Sequence, residues 1–375
     1  MEVKTTMSAH KSKQKKNWNR IHVTALELDT MKYIQQFLNN PHEFIKTYFD
    51  EPPRVSDIAD MLHVSPASVD YKLIENDAKH LVQSDMSSME IQVCDFIRRI
   101  KPGTIIINND HQVIKPYELD IYIPEYKLAI ECNPSWTHGS SENIFCKGYK
   151  RISPGYHLNK TEMCEKAGVR LIHVFGHNWQ HGSDIMKAII RNALHANEYK
   201  INARDTKIRK VSRKQAFKFM SVNSIYKTPE GIYYALQYED EIVCIMSFRR
   251  NKSKENEYTI NGFCSKVSTS VVGGASKLLS DFRSRHPGCV LIANVNRALF
   301  TGDVWKRLGF VHVANKNPEF SWIDVKSELC QSRKISKKSL IKLTGNSSCK
   351  NVDDMMKLEG FVKVYDCGQS VWRLE

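Results

Sequence analysis

Residues 116–133, PYELDIYIPEYKLAIECN, hold two short apolar runs split by a tight turn at Pro124–Tyr126. Alternation with a period of two, rich in Ile, Leu and Tyr, predicts two adjacent antiparallel strands. Asp120 stands inside the first run and Glu131 closes the second. A carboxylate in a buried strand is costly unless it is paired or bound. Neighbouring strands bring both carboxylates to one end of a sheet. Paired oxygens there, with the carbonyl of Cys132 beside them, suit a hard ion such as Mg²⁺. An edge strand with Asp120 in water and Glu131 paired to a lysine is the alternative.

The hairpin belongs to a longer α/β pattern at 85–197. An amphipathic helix (SSMEIQVCDFIRRI) precedes the strands, and a helix (GYHLNKTEMCEKAG), a strand (VRLIHVF) and a last helix follow them. Residues 28–84 read as helical. Within them, PPRVSDIADMLHVSPASVDYKL places Ile58, Ala59 and Leu62 on one inner face and Val69 and Leu73 on another, joined by a turn at His63–Ser65. This resembles a helix-turn-helix, with Arg54, Ser65, Ala67, Ser68, Tyr71 and Lys72 on the DNA side. Two packed helices with no DNA role are the alternative. Residues 1–27 read as a basic arm and 198–218 as a basic linker whose Arg209, Lys210, Arg213 and Lys214 grip phosphates. A second α/β unit spans 219–330, and a basic extension covers 331–375.

A net charge of +14 with pI about 9.2 points to a polyanionic partner, here double-stranded DNA. Ten cysteines without a C-x-x-C fit reduced thiols. No apolar run is long enough to span a bilayer and the start lacks a signal-peptide core, so the expected location is cytoplasmic, away from membranes. His173, His177 and His181 are evenly spaced, but their segment is expected to pass from strand to loop, so zinc is not expected.

Residues 87–192 resemble the PD-(D/E)xK nucleases, in the branch similar to very-short-patch-repair endonucleases. Glu90, Asp120 and the WTH element ending at His138 occupy the positions of the helix acid, the strand acid and the histidine of that branch. The run from ELDIYIPEYKLAIE to YHLNKTEMCEKAGVRLIHVF resembles phage-encoded homing endonucleases. The resemblance implies a Mg²⁺-dependent endonuclease in which Glu90 orients water and Asp120 and Glu131 hold the ion. His138 handles protons where Asn133 replaces the usual lysine, and His157 and Lys160 face the scissile phosphate. Further on, STSVVGGASKLL and WKRLGF resemble the GNAT acetyltransferase fold. Gly273 and Ala275 match its cofactor loop, but Ser270 replaces the basic residue, so acetyl-coenzyme A is not expected. The fold class expected is multidomain: an all-α helix-turn-helix unit, an α/β PD-(D/E)xK-like nuclease and an α/β GNAT-like domain. Two other functions follow from the same residues: a DNA-binding protein on an inactive nuclease fold, and an acetyltransferase with an accessory nuclease-like domain.

Overall fold

The computed structural model describes residues 28–78, 81–82, 87–140, 151–226, 230–344 and 351–375. The expected basic arm lies outside them. The chain divides into two compact units, Met1–Ser87 and Ser88–Glu375.

The first unit holds four helices, α1 (Leu28–Asn39), α2 (Pro41–Tyr48), α3 (Val55–Leu62) and α4 (Pro66–Glu75). Asn40 starts α2 by accepting the Glu43 N–H at 3.1 Å, with Pro41 preset for the first turn. α3 ends at His63, which takes a left-handed conformation at φ 51. Phe37, Phe44, Ile58, Leu62, Val69 and Leu73 close the core. The helix pair forms where its apolar spacing places it. One outward assignment needs correction: Ser68 is buried, because its N–H and hydroxyl both meet Ser65 Oγ at the start of α4. Its residues 28–78 are acidic, with nine Asp or Glu against four Lys or Arg. The net positive charge therefore resides elsewhere in the chain.

The second unit opens with α5 (Ser88–Ile100), β1 (Ile107–Asp110), β2 (Leu119–Ile123), β3 (Leu128–Asn133), α6 (Ser135–His138), α7 (Tyr156–Lys166), β4 (Arg170–Phe175) and α8 (Gly176–Ala193). The sheet runs β1-β2-β3-β4, antiparallel until β4 joins parallel to β3. β3 is buried at every position, the pattern of a central strand covered on both faces.

The remaining chain builds β5 (Tyr199–Asn202), β6 (Lys207–Val211), α9 (Arg213–Asn223), β7 (Ile232–Tyr238), β8 (Glu241–Arg250), β9 (Glu257–Ser265), β10 (Thr269–Val272), α10 (Gly274–Arg285), β11 (Val290–Asn296), α11 (Asp303–Arg307) and β12 (Val311–Lys316). Then come β13 (Phe320–Asp324), β14 (Cys330–Ser332), α12 (Lys337–Thr344), α13 (Val352–Leu358), β15 (Phe361–Tyr365) and β16 (Gln369–Leu374). Seven strands form one sheet in the order β12-β16-β11-β9-β8-β7-β6. Two stretches differ from the sequence reading. Within residues 198–218, β5 pairs with β10 in a two-stranded sheet, β6 is an edge strand of the seven-stranded sheet and α9 begins, and β16 lies between β12 and β11. Segment 317–367 is thus an insertion between β12 and β16, with its own three-stranded sheet β14-β13-β15 and a core of Trp322, Leu340, Met355, Met356 and Phe361.

The insertion packs on the first layer. Glu328 Oε1 accepts both the N–H (3.0 Å) and the hydroxyl (2.8 Å) of Ser135, and Lys363 O accepts the N–H of Ser140 at 2.8 Å. Arg297, after β11, forks onto Glu162 and Glu165 of α7.

Candidate functional site

The β2–β3 register pairs Ile121 with Ile130, so Asp120 and Glu131 stand opposite each other. Asp120 Oδ2 accepts the Cys132 N–H at 2.7 Å. Glu131 Oε1 takes the ammonium of Lys160 from α7, with both side chains about 98% removed from solvent. Burial opposes the charge on Lys160, but Glu131 and then Asp120 outweigh it and hold its pKa above the usual value. Burial first, and the charge of Glu131 second, push Asp120 well above the usual carboxylate range. Glu90, in the first turn of α5, adds its own charge to Asp120 and Glu131.

Beside these groups is a neutral hydrogen-bond chain. His157 Nδ1 donates to Tyr365 O of the insertion at 2.8 Å, which leaves Nε2 to accept from His138 Nδ1 at 3.1 Å. Thr161 Oγ1 donates to His157 O at 3.0 Å and accepts from His173 Nε2 at 2.9 Å. His173 Nδ1 then accepts from Asn133 Nδ2 at 3.3 Å. Burial lowers His157 to about 4 and His138 to about 3. His138 thus meets His157, Lys160 meets Glu131, and Glu90 acts on Asp120 and Glu131 through its charge.

The expected metal set is corrected. Among the described residues no group of three His, Cys, Asp or Glu side chains converges to hold a metal ion. The physical reasons are local: Lys160 neutralises Glu131, and Asp120 spends an oxygen on a main-chain N–H. His177 and His181 sit in α8, and not in a loop.

A second site opens in the seven-stranded sheet. β9 and β11 are parallel, and their pairing stops at Ile260 and Ala293. Beyond that point β9 continues through Asn261–Ser265, each residue half-buried, while β11 continues to Asn296. A bulge starts the parting. Asn261 stands out of register with β8, its Oδ1 accepting from Ser247 Oγ and its Nδ2 donating to Glu230 O, both at 2.8 Å. α10 joins the two strands and begins at Gly273, whose φ of +77 disfavours any side chain. A Cβ on Gly274 would meet Val271 Cγ1 at 3.1 Å. Among the described residues no side-chain hydrogen bond caps this helix, and its first N–H groups have no acceptor within the helix. A cleft of about 810 Å³ borders that end, with Asn202, Arg204 and Ser276 among its walls. At the mouth of the parting, Asn296 Nδ2 donates to Tyr226 Oη at 2.7 Å, and partial burial of the tyrosine, which is 44% exposed, raises it to about 12.

No family model and no curated protein matches the chain. Solved structures align with about 45% of it, and those described are acetyltransferases. An IAA acetyltransferase from Bacillus cereus matches at 10% identity over 45% of this chain and 99% of its own, with a TM-score of 0.29. Arabidopsis thaliana Naa50, in complex with a bisubstrate CoA analogue, matches at 14% over 46% and 99%, with a TM-score of 0.28. The ribosomal-protein-S18-alanine N-acetyltransferase of Escherichia coli matches at 10% over 45% and 92%, with a TM-score of 0.27. Scores and identities at this level assign neither a family nor an activity to the chain. The expected magnesium-dependent endonuclease, with its hydrolase and homing readings, is corrected: among the described residues the acids form no metal set, and Glu131 is taken by Lys160. The argument against coenzyme A from Ser270 is corrected as well. β10 pairs in parallel with β5, which sets Lys200 beside Ser270 and so places a positive charge next to that loop position.

Proposed function

We propose that the chain is an acyltransferase that takes its acyl group from coenzyme A at the parting of β9 and β11. The observation that carries this reading is the parting itself, followed by an uncapped glycine-led helix. In α/β sheets, ligands occupy the crevice at the carboxyl ends of parallel strands, and a helix N-terminus receives phosphate. The residues fit the donor. The N–H groups of Gly274, Ala275 and Ser276 hold its diphosphate, and Lys200 and Arg204 supply positive charge beside them. The unpaired main-chain edges of Asn261–Ser265 and Asn294–Asn296 hold the amides of its extended arm. When bound, coenzyme A supplies an activated acyl thioester. Tyr226 Oη keeps its proton at neutral pH and so serves as a hydrogen donor at the crevice mouth, not as a base. His157 holds the first layer to the insertion through Tyr365 O.

The test is release of free thiol from acetyl-coenzyme A, followed with a thiol reagent, with simple amines and basic peptides as acceptors. Acceptor-dependent release that Tyr226→Phe slows and Gly273→Val abolishes supports the reading. Release that is the same in Gly273→Val as in the parent refutes it.

A further inference from the structure

We propose that β6 and α9 form a docking surface for single-stranded nucleic acid. Residues 199–218 carry eight Lys or Arg and one acid. β6 is an edge strand, paired with β7 alone, so its outer side is open. Lys207, Arg209, Lys210, Arg213, Lys214 and Lys218 are all exposed, and none is joined to a carboxylate by the ion pairs among the described residues. Arg209 has instead a neutral partner, Gln237 Oε1, at 2.6 Å.

α9 sorts its residues by face. Ala216, Met220 and Asn223 are buried against the sheet. The opposite stripe reads Lys214, Phe217, Lys218 and Ser221 at spacings of three and four. Phe217 is 60% exposed there, an apolar ring among cations. Cations matched to a phosphate backbone, with an aromatic face for unpaired bases, form the arrangement that binds single strands without regard to sequence. An acidic protein would satisfy the charges but gives no reason for the ring. Residues 199–218 carry +7 of the chain's +14, whereas residues 28–78 of the first unit are acidic. This surface is distinct from the parting of β9 and β11.

The experiment is fluorescence anisotropy of the full chain with a labelled oligo-dT of about 20 nucleotides, over about 50–200 mM salt. The expected result is binding whose logarithm falls linearly with the logarithm of salt. Changing Arg209, Lys210, Lys214 and Lys218 together to Ala should reduce that slope by about 3, since each single-strand phosphate contact contributes about 0.7. Phe217→Ala should weaken binding roughly tenfold with the slope unchanged. Lys306→Ala with Arg307→Ala on α11 is the control and should alter neither. All these side chains are exposed, so the variants should keep the parent's melting temperature. An unchanged slope in the quadruple variant overturns the proposal. So does equal binding of polyglutamate, or of a blunt duplex with Phe217→Ala neutral.

Discussion

Acidification should release the insertion from the first layer, and His157 is the group that senses it. His157 is 1% exposed and neutral, one nitrogen donating to Tyr365 O and the other accepting from His138. Protonation removes that acceptor and turns two N–H groups toward each other. The folded pKa, lowered to about 4, is below the ordinary value of 6.5. Stability from this residue is therefore complete above pH 6.5 and is lost as pH falls toward about 4. A shift of 2.5 units at about 1.36 kcal/mol each sets a ceiling near 3.4 kcal/mol, of which about 3 is gone at pH 4. His157→Gln keeps one donor and one acceptor but does not titrate. Urea unfolding at pH 7 and pH 4 should show the parent losing about 3 kcal/mol more than the variant, with amide exchange in β15 accelerating first in the parent. Equal losses in the two proteins would refute the assignment of His157 as the sensing group.

Two further perturbations probe the same joint. Gly176→Ala places a methyl group 2.6 Å from Glu328 Oε1, which must move and release Ser135; thermal unfolding should show a loss of about 1.5–3 kcal/mol, and an unchanged melting temperature would mean that this contact contributes nothing. Lys160→Met leaves the buried Glu131 without its cation and should cost about 3–5 kcal/mol, most of it recovered by Lys160→Met with Glu131→Met; a double variant as unstable as the single would contradict the pairing.

The first layer was legible because its signals are local. Alternation marked β2 and β3, and carboxylates in apolar strands announced a partner. The partner itself, Lys160, comes from α7 and was read as a group facing phosphate. One sequence cannot show which distant cation closes on which acid. Ser68 was misplaced because a hydroxyl reads as outward until Ser65 is seen to take its hydrogen bonds. The 198–218 stretch looked like a linker because its bases hide a strand pairing that depends on β7. The parting of β9 and β11 had almost no signature beyond Gly273 and Gly274. It arises from a register bulge at Asn261 and from β16 returning out of chain order, and both are properties of pairing. Lys200 beside Ser270 is the same lesson in one residue pair.

Isothermal titration of acetyl-coenzyme A into the full chain tests the proposed acyl-donor site at the start of α10 without needing the acceptor. The expected result is saturable binding at one site per chain, weakened by Lys200→Ala with Arg204→Ala and abolished by Gly273→Val, whose side chain cannot adopt φ +77 without strain. Absence of saturable heat with the folded parent, or equal binding by Gly273→Val, would contradict it.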